Sequence, residues 1–326
     1  MKKQFLILMR ICFVAALIIS CNKSDNQIGG KDRNITWKIS DEGVLTISGK
    51  GHMWDYDEDR DDNGERINAP PWAVHLYSVT AIVIEEGITR ISNWAFAYCH
   101  GFIENLTLPK SLKFIGDYAF FDSFGINGNL ILPEGLISIG NEAFQGCSGF
   151  TGSLILPEGL NFIGHHAFAG CRGFTGSLTF PKNINWICEG TFSGCSGFNG
   201  SLILEGLRDI SDYAFNGCSG FTGNLIIPKG LGLGNCVFGG CRGFSSLTLI
   251  GDIGVPHEAF SYCTGLIDII NYSIEPQTHV GSCFIEVPIS NITLHVPSIS
   301  LEKYRNDDFW GSFGNIVTIE NSNNNN

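Results

Sequence analysis

The stretch that decides the fold is GCSGFTGSLILPEGL, Gly146 to Leu160, which returns as GCRGFTGSLTFPKNI at Gly170 to Ile184. Counting outward from its cysteine gives a repeat. Cys147, Cys171 and Cys195 lie 24 residues apart, Cys218 and Cys241 follow at 23, and Cys263 at 22. Stepping backward, 24 residues reach Ser123 and another 24 reach Cys99. Within each unit the same offsets are apolar: Phe at three, Leu-x-Leu at seven and nine, an aliphatic at thirteen, Ile at sixteen, Ala-Phe at twenty and twenty-one. In the unit at Cys147 these are Phe150, Leu154, Leu156, Leu160, Ile163, Ala167 and Phe168. A first unit without cysteine keeps the pattern in Ile82, Ile84, Ile88, Ile91, Ala95 and Phe96.

A period of this length with a short L-x-L strand is the signature of a solenoid whose coils each add one strand to a parallel sheet. A single coil cannot persist alone. Its handful of apolar side chains, at about 1.5–3 kcal/mol each when fully buried, fall short of ordering a whole unit at about 1–2 kcal/mol per residue. Stacked coils share strand hydrogen bonds and cover each other's apolar edges. Proline after the strand (Pro109, Pro133, Pro157, Pro181, Pro228) ends it, since proline cannot donate to the ladder. The phenylalanines then fall into two core columns. Phe96, Phe120, Phe144, Phe168, Phe192, Phe215, Phe238 and Phe260 form one, and Phe102, Phe150, Phe174, Phe198, Phe221 and Phe244 most of a second. Fourteen of 24 phenylalanines are thereby placed in the core, which weakens aromatic richness as a sign of sugar stacking.

Composition agrees with this reading. The 326 residues are 44% hydrophobic and 16% charged, with 41 glycines and only three methionines, a mix that suits many turns joined by short strands better than a helical enzyme. The formal charge of -12 repels phosphate backbones and argues against nucleic-acid binding. Residues 1–20, MKKQFLILMRICFVAALIIS, read as an export signal: a basic start, then an apolar stretch too short for a comfortable membrane span. The ending Ile18 to Cys21, IISC, resembles the lipobox of bacterial lipoproteins, with Ile in place of Leu at the third position before the cysteine. That resemblance implies lipidation of Cys21, two or three acyl chains and attachment to the outer membrane; the alternative is an ordinary secretory signal with Cys21 as a bystander. Residues 21–33 read as a flexible tether.

Twelve cysteines in an exported chain raise a disulfide framework as one possibility. The spacing favours buried free thiols. Equivalent residues in stacked coils point in parallel rather than toward each other, a poor match to disulfide geometry. Ser123 on one rung suggests a site for a small, slightly polar side chain.

Written out as C-x-G-F-x-x-x-L-x-L-P-x-x-L-x-x-I-G-x-x-A-F, the repeat resembles the BspA-like leucine-rich repeat family of bacterial surface proteins, over about residues 34 to 320. Asn34 to Met53 is similar to that family's N-terminal hairpin: Ile35, Trp37 and Ile39 alternate, Asp41-Glu42-Gly43 turns, and Leu45 and Ile47 return. Leu294 to Ile319 is similar to its closing segment, with Tyr304, Trp310 and Phe313 over the last coil. Units from Cys99 to Cys218 depart from the family by one extra residue before the strand, as in FTGSL. The resemblance implies a right-handed leucine-rich repeat coil with a parallel β-sheet on its concave face and a cap at each end. The expected divisions are a signal peptide at 1–20, the tether at 21–33, an N-terminal cap hairpin and acidic loop at 34–74, about nine coils of 20–24 residues at 75–296, and a C-terminal cap with an Asn-rich tail at 297–326. Members are described as adhesins that bind matrix proteins, host cells or other bacteria, so the resemblance implies binding rather than catalysis.

The candidate binding residues lie between the inward leucines: Val83, Thr107, Ile131, Ile155, Thr179, Ile203, Ile226 and Thr248. Asn105, Asn129, Ser153, Ser177, Ser201 and Asn224 flank them. An exposed aliphatic row beside an amide and hydroxyl row suits a protein or an extended-chain ligand, although β propensity alone would also select Ile, Val and Thr. The expected partner is an extracellular protein, or a glycan if the chain serves an outer-membrane uptake system; a structural spacer is the third reading. Asp59, Asp61, Asn63 and Gly64 open a calcium-loop pattern, but Pro70 stands where a bidentate Glu is needed, so a solvated acidic loop is the better reading. His165, His166 and Cys188 have the residue types of a zinc trio, yet adjacent histidines usually point apart. No nucleophile elbow, phosphate loop, HExxH or isolated carboxylate pair is present. The expectation is a protein without catalytic site, metal or cofactor.

Overall fold

The computed structural model describes residues 28–59, 67–251, 254, 256–278 and 280–319. They form a parallel β-solenoid with few helices, and each coil meets the next along three lines.

The first line is the leucine sheet. At the N-terminal end it holds Ile28–Asp32, Ile35–Ile39, Val44–Gly49, Ala81–Ile84 and Asn105–Thr107. The first three strands pair antiparallel as the expected hairpin plus one more strand, and from Val44–Gly49 onward the pairing is parallel. Residues 28–32, read from sequence as part of the tether, are thus a strand. One isoleucine, two glycines and two charged residues carry no alternation, and their order comes from backbone pairing with Ile35–Ile39. At the C-terminal end the sheet resumes as Gly223–Ile227, Phe244–Leu249, Asp268–Asn271, Thr293–Val296 and Asn315–Thr318, all parallel.

Between these ends the leucine ladder lapses. Leu130–Leu132 and Leu154–Leu156 are not in strands, and Leu178 and Leu202 share only an isolated bridge. The lapse falls among the units that carry the extra residue, but the insert alone does not cause it, because the units at Cys99 and Cys218 carry it too and pair in regular strands. Gly152 and Gly176 in that insert have φ of +74° and +81°, which turns the chain just before the leucines. Pairing moves into the corner instead, where Phe150 faces Gly128 and Thr151 faces Asn129. Gly223 opens the next regular strand with a bulge, and the shorter units that follow pair without a break.

The second line, which nothing in the repeat pattern marked as a strand, is a sheet of short strands, mostly two residues long and most of them built on the Ile of the I-G pair. Gly51–His52, Ile88–Ile91, Phe114–Ile115, Ser138–Ile139 and Phe162–Ile163 run in parallel, and Trp186–Ile187, Asp209–Ile210 and Gly232–Leu233 form a separate group. The glycine after Ile has a steric cause. A Cβ on Gly140 or Gly164 would lie 2.6 or 2.5 Å from the backbone nitrogen of Asp117 or Asn141 one coil earlier. Cys188 stands in that glycine's place, and the seam in this isoleucine sheet falls between its coil and the one before.

The third line is the Ala-Phe corner. The backbone N–H of Phe96, Phe120 and Phe144 donates to the carbonyl of Ala119, Ala143 and Ala167 at 2.7, 2.8 and 2.8 Å. The rings behind these amides stack from Phe96 to Phe284 with centroids 5.1 to 5.7 Å apart. Trp72 at 5.7 Å and Phe309 at 5.9 Å extend the column into the caps. The C-terminal lid buries Tyr304, Trp310 and Phe313, and the Trp310 indole donates to the Gln277 carbonyl at 3.1 Å. The second column holds from Phe150 to Phe244. Phe102 is not in it: that ring is 67% exposed, and Ile103, bridged to Ile126, fills the core position.

Candidate functional site

The ten cysteines among the described residues are free and buried. In the ladder, each thiol from Cys147 to Cys263 donates to the carbonyl of the column phenylalanine one coil earlier. Cys147 reaches Phe120 at 3.0 Å, Cys171 reaches Phe144 at 3.1 Å, and Cys195 reaches Phe168 at 3.1 Å. Ser123 makes the same bond to Phe96 at 2.8 Å, which explains its place on the rung. Burial pushes the Cys195 and Cys263 thiols up to about 12 and Cys171, Cys218 and Cys241 well above the ordinary value. These groups are neutral core donors, unsuited to nucleophilic or metal chemistry at neutral pH.

The zinc trio does not assemble. His166 lies over Gly190, where an added Cβ would meet its Nδ1 at 2.1 Å, and His165 faces Glu189 at 4.0 Å. No group of three or more metal-ligating side chains occurs among the described residues. Of the calcium-loop residues, Asp61, Asn63 and Gly64 lie outside the described residues, as does Cys21.

The outward row of the leucine sheet runs over successive coils. Thr107, Ile131, Ile155, Thr179, Ile203 and Ile226 are exposed and Val83 is half-buried. Exposure peaks where the ladder lapses, at 70% for Ile131 and 73% for Ile155. Beside them Asn105, Asn129, Ser153, Ser177 and Asn224 are exposed and Ser201 is half-buried. Thr248 departs from expectation, since only 7% of it is exposed. The Asn224 amide donates to its hydroxyl at 3.0 Å, so this pair is internally satisfied and presents Asn224 rather than Thr248. Strand register extends the row beyond the residues named from sequence. Lys38 and Thr46 precede Val83, and Ile270, His295 and Val317 follow Thr248. Lys38, Thr46 and Val317 lie in the caps, outside the regular repeat, while Ile270 and His295 belong to the last coils. His295 is held by Asp268 at 3.0 Å.

A rigid solenoid with free thiols in its core and an uncharged aliphatic row on one sheet defines a repeat scaffold that offers surface rather than a catalytic cleft. The chain belongs to the BspA-type leucine-rich repeat family, whose repeat pattern matches residues 74–199, 127–245 and 200–313. Solved structures are similar to the chain. A leucine-rich repeat protein from Bacteroides ovatus is 23% identical, with 89% of this chain and 90% of that one covered and a TM-score of 0.52. A leucine-rich repeat protein from Eubacterium ventriosum is 19% identical over 89% and 93%, with a TM-score of 0.47. A protein from Faecalibacterium prausnitzii described as a leucine rich cell surface protein is 14% identical over 92% and 97%, with a TM-score of 0.39. No curated protein matches the chain.

Proposed function

We propose that this protein is a surface-displayed binding protein, not an enzyme, that holds an extracellular protein partner along the outward row of its leucine sheet. The observation that carries the reading is the exposure of Ile131, Ile155, Ile203 and Ile226 in a line beside hydroxyl and amide side chains. Aliphatic side chains so exposed lose apolar surface to water only when a partner covers them. The Asn and Ser column beside them supplies the polar rim that fixes register. Family membership supports an interaction role. The signal-like residues 1–20 and the IISC ending support export and attachment to the outer membrane through lipid on Cys21, facing outward.

The test is Ile155→Arg combined with Ile203→Arg in the mature chain, against immobilised matrix proteins and intact cells. Both positions are exposed, so folding is retained and thermal unfolding stays where it was. Binding falls by about tenfold or more, as expected for charges placed inside an apolar contact. Unchanged binding by the double variant counts against this face. Protease shaving of intact cells checks the orientation, because a product facing the periplasm cannot hold an external partner.

A further inference from the structure

The isoleucine sheet carries a second exposed feature that the leucine-sheet reading does not use. Its outward positions run Phe114, Ser138, Phe162, Trp186 and Asp209 on successive coils. Phe162 and Trp186, 47% and 57% exposed, stand on either side of the seam. Both sit on strand backbone. The Trp186 indole N–H donates to Ser211 Oγ on the next coil at 2.8 Å, which fixes the plane of the ring against the sheet. Exposed Asn161 and Asn185 precede the two rings in sequence, and the exposed carboxylate of Asp209 pairs in register with Trp186.

We propose that this strip binds a neutral polysaccharide chain, with Phe162 and Trp186 as stacking platforms and Asn161, Asn185 and Asp209 as partners for sugar hydroxyls. Charge selects among ligands. The chain's net charge of -12 opposes an anionic polymer, and within the strip the Asp209 carboxylate is offset by its exposed neighbour Arg208, which leaves the surface locally near neutral. The Asn185 amide offers both donors and acceptors, and Asn161, whose amide nitrogen is engaged by the Gly159 and Ile137 carbonyls, offers its oxygen, which together match hydroxyl groups better than a purely cationic segment. An aromatic ring held by its own hydrogen bond presents a flat apolar face at little cost in side-chain entropy. Phe162 and Trp186 lie on successive coils, so the platforms face a ligand that is itself a linear repeat. The site shares no residue with the leucine-sheet row, and the two proposals stand or fall separately.

The test is affinity electrophoresis of the full mature chain in native gels containing hydroxyethyl cellulose, mannan or amylopectin, with heparin and polylysine as charged controls. Retardation is expected in at least one neutral polysaccharide and not in heparin. Trp186→Ala and Phe162→Ala each weaken that retardation about tenfold, with thermal unfolding unchanged because both rings are exposed. Ile155→Arg leaves it intact. Migration unaffected by all three neutral polymers overturns the proposal. So does retardation that survives in the Trp186→Ala, Phe162→Ala double variant, or binding to polylysine alone.

Discussion

In residues 223–318 the leucine sheet is an unbroken run of five parallel strands, each residue of Leu247, Ile269 and Leu294 paired to its equivalent on the next coil. In residues 128–204 the same leucines face the same core, yet their backbones pair only at one bridge and in the glycine corner. The core is equally dry in both: Leu154, Leu178, Leu247 and Ile269 are all buried. Burial of the side chain and pairing of the backbone are therefore separable in this fold. The middle coils are held by the Phe columns, the thiol bonds and the Ala-Phe corner. Released from the ladder, they leave Ile131 and Ile155 more exposed than Ile226, at the point where we place the partner.

The comparison can be broken first by pH. Each ladder thiol has a folded-state pKa raised above the usual 9.0. Its stabilising contribution is complete below about pH 9 and is lost as pH rises toward the folded value, at about 1.4 kcal/mol per pH unit for each group. Several such groups together exceed an ordinary domain's stability of about 5–15 kcal/mol. Cooperative unfolding detected by circular dichroism is expected between about pH 10 and 11, in middle and end coils alike. Survival past that range with the thiols titrating freely would contradict their burial in the folded chain.

Next in size is truncation of a column ring. Phe168→Ala in the middle and Phe260→Ala near the end should each cost about 3–5 kcal/mol in denaturant unfolding, because both rings are stacked on two neighbours and fully buried. A markedly smaller loss at 168 would show that the middle coils are loosely packed. The smallest effect belongs to Cys171→Ser. The hydroxyl can repeat the bond that Ser123 makes to Phe96, so the loss stays within about 1 kcal/mol, whereas Cys171→Ala leaves the Phe144 carbonyl without that donor and costs more.

Much of this was legible in the sequence because a fixed period places every equivalent residue on one line. The Phe96 to Phe260 column, the inward leucines and the thiol rungs follow from spacing alone, and the hairpin at Asn34 from its alternation and its resemblance to the family's N-terminal hairpin. Phe102 was misplaced because spacing counts positions and not geometry: Glu104 stands where later units have glycine, the chain turns differently, and Ile103 reaches the core first. The isoleucine sheet was invisible because a two-residue strand has no alternation to read. Trp72 and Phe284 keep the 24-residue step to Phe96 and from Phe260 and could have been read from spacing, whereas Phe309 lies 25 residues on, in the C-terminal cap. Of the candidate surface, the row from Thr107 to Ile226 was readable from alternation. The burial of Thr248 depends on a neighbour's amide one coil away.

Hydrogen–deuterium exchange tests the central claim most directly. Amides at 130–132 and 154–156 are expected to exchange about tenfold or more faster than those at 225–227 and 247–249, while 139–140 and 163–164 on the isoleucine sheet stay protected. Equal protection along the whole leucine sheet would contradict the account.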